Sequence, residues 1–220
     1  MSAKAPNPDR LHFERELWAL GITPIAGVDE AGRGPLAGSV VVAAVILPES
    51  WASAGVPEQL RGLNDSKQLS ESARERYFGL LLTDPSIQHS IIAISHTEID
   101  RLNILAATHS GMNQALQALP SRPAHALVDG NRVPSLVLSQ SALVKGDSRS
   151  YSIAAASILA KVTRDRLMLD AERQYPGYGF ARHKGYPTPD HLEAIRRLGP
   201  CPIHRRSFAP IRQPDPELFG

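Results

Sequence analysis

The sequence predicts an α/β domain built on a mixed β-sheet. Two extended apolar runs come early and are joined by a Gly/Pro-rich turn, as in a hairpin. Later extended runs alternate with helical segments, so part of the sheet is parallel. No internal repeat and no second linker interrupts the chain, and 220 residues with 42% hydrophobic content suffice for one sizeable core.

Residues 1–8 read as a disordered leader. From Asp9 the spacing of Leu11, Phe13, Leu17, Trp18 and Leu20 predicts a short amphipathic helix that Gly21 stops. Ile22–Val28 and Gly38–Leu47 follow as strands, and residues 48–69 are irregular, with Pro48 and Pro57. Ser70 can cap a helix running to Leu82, which Pro85 ends. Ile87–Ser95 predicts a third strand, and Thr97–Leu119 one long helix ended by Pro120 and Pro123. Ala126–Asn131 is a short buried strand stopped by Gly130, and Leu136–Val144 supplies another. A long helix over Tyr151–Gln174 opens with an Ala-rich turn suited to close packing. Thr188 and Pro189 then form an N-cap and first-turn pair for a last helix to Leu198. Residues 9–198 make the domain, and residues 199–220 read as a basic extended tail.

The formal charge of +2 decides little, but its distribution says more. Between Arg173 and Arg212 eight Arg or Lys residues face only Asp190 and Glu193, a skew that suits a polyanion or a merely solvated tail. A single cysteine, Cys201, forms no internal disulfide, and its spacing to His204 is half a metal site without a second half. The opening residues carry no secretory pattern, and the longest apolar stretch, Ser39–Leu47, is too short to span a bilayer. A cytoplasmic monomer without membrane contact is the expectation.

Four acids fall at strand ends or just beyond them: Asp29, Glu30, Asp129 and Asp147. The ends of strands in an open α/β sheet converge in space. Converging carboxylates repel one another and are costly to bury, so they call for neutralising cations. All-oxygen donors suit Mg²⁺ or Mn²⁺, and two such ions about 4 Å apart activate water for phosphodiester hydrolysis. Each acid has an ordinary role to weigh against this. Asp129 before Gly130 fits a turn, and Asp147 before Ser148 can cap the next helix. Asp165, in mid-helix, fits a solvated or supporting position. The adjacent pair Asp29–Glu30 gains nothing structural where it stands. Beside it, Gly32-Arg-Gly-Pro-Leu-Ala-Gly38 is no dinucleotide fingerprint, since its spacing differs and a strand follows. Its glycines still admit a ligand close to the backbone.

The run Gly27-Val-Asp-Glu-Ala-Gly-Arg-Gly-Pro-Leu-Ala-Gly38 resembles the signature of bacterial ribonuclease HII. The resemblance continues through Leu63-Asn-Asp-Ser-Lys67, Leu127-Val-Asp-Gly-Asn131, Lys145-Gly-Asp-Ser148, Ala154–Asp165 and His183-Lys-Gly-Tyr186, from about residue 22 to 198. It implies an RNase H-like mixed sheet flanked by helices with a C-terminal helical extension. It also implies an endoribonuclease that takes RNA–DNA hybrids and single ribonucleotides in duplex DNA, cutting 5′ of the ribonucleotide to leave 3′-hydroxyl and 5′-phosphate ends. Asp29, Glu30, Asp129 and Asp147 are then the metal-binding catalytic carboxylates, with Mg²⁺ or Mn²⁺ as cofactor, and Asp147 is preferred to Asp165 as the fourth. Gly32, Arg33 and Gly34 would touch the 2′-hydroxyl and its phosphate, and Tyr186 the deoxyribose 3′ of it. Lys67 and Lys184 would contact phosphates, and a replication-associated partner is conceivable without a motif for it. A junction resolvase of the same fold gives no use for both the glycine turn and Tyr186. A non-catalytic nucleic-acid-binding module gives none for four converging acids.

Overall fold

The computed structural model describes residues 9–211, so the expected leader and residues 212–220 of the expected tail lie outside the described residues. Helix α1 (His12–Ala19) leads into strands β1 (Ile25–Ala31) and β2 (Val40–Ile46). A one-turn α2 (Trp51–Ala54) and two 3₁₀ turns (Glu58–Leu60 and Ser66–Gln68) order the segment read as irregular. Then follow α3 (Glu71–Thr83), β3 (Gln88–Ile94), α4 (His96–Leu102), α5 (Ile104–Gln117), β4 (His125–Asp129) and β5 (Ser139–Leu143). A 3₁₀ turn (Gly146–Ser148) precedes the long α6 (Tyr151–Gln174), the short α7 (Phe180–His183) and α8 (Pro189–Leu198).

The five strands form one sheet in the order β3-β2-β1-β4-β5. β1, β2 and β3 are antiparallel neighbours, whereas β4 runs parallel to β1 and β5 parallel to β4. This is the mixed sheet expected, with the early hairpin in register Asp29 opposite Ala43 and Glu30 opposite Val42. β2 is buried throughout because both its faces are covered, which explains its unbroken apolar run. Val41, Ala43 and Val45 pack with α6 residues such as Ile153, Ala156 and Ile158, while Val42, Ala44 and Ile46 pack with Met112, Ala115 and Leu116 of α5. Burying each such Val, Ile or Leu contributes roughly 1.5–3 kcal/mol.

Helix α6 sets the depth of the domain. Ser150 caps it by accepting from the Ile153 N–H. Its first turns lie so close to β1 that a Cβ added at Gly27 would stand 2.2 Å from the Ser152 carbonyl carbon. The Ala-rich opening serves that approach, for Ala154, Ala155 and Ala156 are all fully buried. Glu14 of α1 joins the same junction, its Oε1 accepting from Ser150 Oγ and from both the N–H and Oγ of Ser152.

Three expectations are corrected. The single helix expected over Thr97–Leu119 divides at Asn103, which takes φ 68° and caps the second part by accepting from the Ala106 N–H. The strand expected over Leu136–Val144 shortens to Ser139–Leu143, because Gln140 bonds both the N–H and C=O of Val133 and folds the preceding loop back. Residues 199–211 are not an extended tail. Ala37 bridges to His204, the Gly38 N–H donates to the Ile203 carbonyl, and Cys201, His204 and Arg205 are buried. Arg205 thus leaves the basic surface on which its sequence position had placed it.

Candidate metal centre and substrate cleft

Parallel pairing of β1, β4 and β5 brings three carboxyl ends of strands together, since Val28 pairs with Val128 and Asp129 with Leu143. Asp29 continues β1, Asp129 ends β4, and Asp147 lies in the 3₁₀ turn after β5. One carboxylate oxygen from each lies within 4.8 Å of the others. No other such group of three potential ligands occurs among the described residues. The structure therefore brings together three of the four acids singled out from sequence. Glu30 stands beside them but outside this group, with Arg33 Nη1 3.3 Å from its Oε1.

Local hydrogen bonds orient the cluster. Asp129 Oδ1 accepts from the Gly146 N–H at 2.6 Å, tying β4 to the Asp147 turn. Asp29 Oδ1 accepts from the Glu30 N–H at 2.6 Å, and the Ser157 hydroxyl of α6 favours the charged form of the same carboxyl against its burial. Ser157 Oγ lies 3.0 Å from Ser66 Oγ, which anchors the segment carrying Lys67. Burial, then the charges of Glu30 and Asp129, push Asp29 well above the usual carboxylate range. Burial lifts Glu30 too, against the Arg33 guanidinium. Asp147 is pushed up to about 6 by burial and by Asp129 and Asp65, with Lys67 opposing. Burial alone would lower Lys67, but Asp65, Asp29, Asp147 and Asp129 together raise it. Three converging carboxyl groups with one lysine as counter-charge are under-neutralised. Hard divalent cations with oxygen preference fit this donor set.

Glu30 and Lys67 also line a cleft of about 260 Å³, with Gly32, Arg33, Gly34, Ser66, Ser157, Lys161, Arg164 and Tyr186. Tyr186 is 42% exposed and forms one wall with the glycine turn, for a Cβ at Gly34 would lie 3.6 Å from its Cε1. A larger groove of about 680 Å³, between the end of α5 and residues 136–139, holds no carboxylate and lies apart from the acids.

Lys184 is placed differently from Lys67. Its ammonium donates to the Ala181 carbonyl and it does not line the cleft. Asp165 pairs with Lys161 at 2.7 Å, one turn away on α6, and is not part of the acid group. Cys201 and His204 form a buried hydrogen-bonded pair, Sγ to Nδ1 3.1 Å, that continues through His191 to the Tyr186 carbonyl. Sequence reasoning missed Ser157, Lys161 and Arg164 as cleft residues. All three lie on α6 at helical spacing, but nothing in an Ala-rich helix marks which face meets a cleft.

Comparison with known proteins is consistent across sequence and structure. A family model described as Ribonuclease HII matches residues 26–211. Ribonuclease HII of Geobacillus kaustophilus is 53% identical over 203 residues, covering 92% of this chain and 75% of that protein. Ribonuclease HII of Myxococcus xanthus is 48% identical over 203 residues, with 92% and 67% covered. The crystal structure of ribonuclease H2 from Pyrococcus horikoshii OT3 superposes with a TM-score of 0.71 at 29% identity, covering 86% of this chain and 96% of that one.

Proposed function

This chain belongs to the ribonuclease HII family and is a metal-dependent ribonuclease, and from that premise we propose its substrate and the residues that act on it. It cleaves the RNA strand of RNA–DNA hybrids and incises 5′ of a single ribonucleotide in duplex DNA, leaving 3′-hydroxyl and 5′-phosphate ends. The observation that carries this reading is the convergence of Asp29, Asp129 and Asp147 beside a cleft walled by a glycine turn and Tyr186.

Asp29, Glu30, Asp129 and Asp147 would hold two Mg²⁺ or Mn²⁺ ions. When bound, the cations supply the Lewis acidity that lowers the pKa of water and offsets charge on the leaving oxygen. The chain's own groups do the rest. The N–H groups of Gly146 and Glu30 hold Asp129 and Asp29 in fixed orientation, so the carboxylates meet a cation without reorganising. Gly32, Arg33 and Gly34 probe the 2′-hydroxyl through the backbone, the one group that separates RNA from DNA at a given sugar. Tyr186 offers its ring to the next deoxyribose, and Lys67 draws a phosphate toward the acids. Among the described residues no helix is long and apolar enough to cross a membrane, and the whole described domain is taken as the catalytic unit.

Asp129→Asn tests the assignment. It should lower cleavage of an RNA–DNA hybrid in Mg²⁺ or Mn²⁺ by at least about 1,000-fold while thermal unfolding stays cooperative. Parental activity in a folded Asp129→Asn variant would remove the carboxylates from the chemistry.

A further inference from the structure

Two arginines are buried without a carboxylate partner. Arg205 is 0% exposed and Arg164 1%, and neither forms an ion pair among the described residues. Burying an unpaired charge is costly, and an apolar side chain would fill either space more cheaply. Their guanidinium groups are instead spent on backbone carbonyls. Arg205 donates to Gly32 O at 2.6 Å, Arg33 O at 2.9 Å and Gly38 O at 3.0 Å. Arg164 donates to Ser39 O at 3.1 Å, Ala37 O at 3.3 Å and Lys184 O at 2.9 Å. The backbone repeats the connection, since the Leu36 N–H donates to Gly185 O and the Arg205 N–H to Leu36 O. Three segments distant in sequence, residues 32–39, 184–186 and 203–205, are thereby fastened together.

The direction of these bonds has a chemical result. In a trans peptide the C=O and the following N–H point to opposite sides of one plane. The only cis peptides of the described chain are Thr23–Pro24 and Ala209–Pro210. With the carbonyls of Gly32 and Arg33 drawn inward to Arg205, the N–H groups of Arg33 and Gly34 are turned away from it. Neither N–H has a hydrogen-bond partner among the described residues, and both residues line the cleft. A neighbouring pair of unspent donors suits a sugar hydroxyl or a phosphate oxygen. Arg164 holds the opposite wall, because it bonds Lys184 O two residues before Tyr186 and its guanidinium carbon lies 5.9 Å from the Tyr186 ring centre.

We propose that Arg205, supported by Arg164, is the positioning residue for sugar recognition: it fixes the peptide planes of the Gly32–Gly34 turn so that two N–H donors face the ribonucleotide, and Arg164 keeps Tyr186 in register with them. The inference rests on the reading that this turn contacts the ribonucleotide. Lysine cannot substitute, having no planar fork to span three carbonyls.

The test compares Arg205→Lys and Arg205→Ala with the parent on a duplex carrying one ribonucleotide, measuring kcat, KM, Mn²⁺ affinity and thermal unfolding. Both variants should lose about 100-fold in kcat/KM, the scale expected when reacting groups are misplaced by about 1 Å. Mn²⁺ affinity should stay within about twofold, because Arg205 bonds only backbone carbonyls and none of the four carboxylates. Added guanidinium ion at millimolar concentration should restore at least about tenfold of the activity of Arg205→Ala, whereas a merely destabilised protein would lose more. Parental kcat/KM in folded Arg205→Lys, or loss of Mn²⁺ affinity in step with activity, overturns the proposal. If Arg205→Ala does not fold, Arg205→Lys decides. The underlying reading fails separately, by the parent cutting ribonucleotide-containing and all-DNA duplexes alike.

Discussion

In the proposed function single residues carry both the chemistry and its selectivity, and Gly32 shows how tightly the turn is set. It adopts φ +98°, and an added Cβ would stand 1.9 Å from Arg164 Nε and 2.3 Å from its Cδ. Arg164 cannot swing aside without releasing three carbonyls. Gly32→Ala should therefore cost about 1–3 kcal/mol of stability and about 100-fold in kcat/KM on a ribonucleotide-containing duplex. Gly34→Ala is the control, because its Cβ would make only ordinary contact at 3.6 Å, so its melting temperature should match the parent's. Thermal unfolding and steady-state kinetics on the pair check this; equal loss of stability in both would show that Arg164 does not limit the turn. At this scale the acids were legible in sequence because Asp29 and Asp129 follow apolar strand residues and Asp147 stands in the turn after a strand. Arg205 was not, since an arginine in a basic run carries no mark of burial, and neither was the turning of Lys184 to Ala181.

At the scale of elements, β1 and α6 form the platform on which the acids are mounted. Their closeness depends on the missing side chain of Gly27, whose Cβ would meet backbone rather than a movable side chain. Gly27→Ala should destabilise by roughly 3 kcal/mol or more, as overpacking against main chain does. Since Gly27 lies two residues before Asp29 on β1, pushing the strand away from α6 should displace the Asp29 carboxyl, and cation affinity should fall together with stability. Denaturant unfolding and a Mn²⁺ titration read the two effects; unchanged stability would mean that α6 yields freely. Strands and the hairpin were legible from period-two and unbroken apolar runs. The break at Asn103 was hidden because no Gly or Pro marks it, and only the capping bond of Asn103 to Ala106 reveals a new helix start.

At the scale of the whole molecule, α1 is fastened to the catalytic platform by one buried acid. Glu14 is 1% exposed, its Oε2 has no hydrogen-bond partner, and burial raises its pKa against the bonds from Ser150 and Ser152. A raised carboxyl binds more protons folded than unfolded, so stability falls as pH rises above its ordinary value of 4.5 and stays lower beyond the folded pKa. Glu14→Gln does not titrate. Its melting temperature relative to the parent should climb as pH increases from about 4.5, and a difference that is flat with pH would contradict this. The overall fold class was legible in the sequence, but the packing of residues 199–211 against the glycine turn was not. Their contacts to Gly32, Arg33 and Gly38 span more than 160 residues of chain and leave no periodic trace. The central claim joins that turn to the acid cluster as one device for cutting beside a 2′-hydroxyl. It is tested most directly by giving the protein, with Mg²⁺ or Mn²⁺, two duplexes that differ only in one 2′-hydroxyl. A single cut 5′ of the ribonucleotide, leaving a 3′-hydroxyl, with the all-DNA duplex intact, is the predicted result. Equal cutting of both, or tight binding of the ribonucleotide duplex with no cut in either, would contradict it.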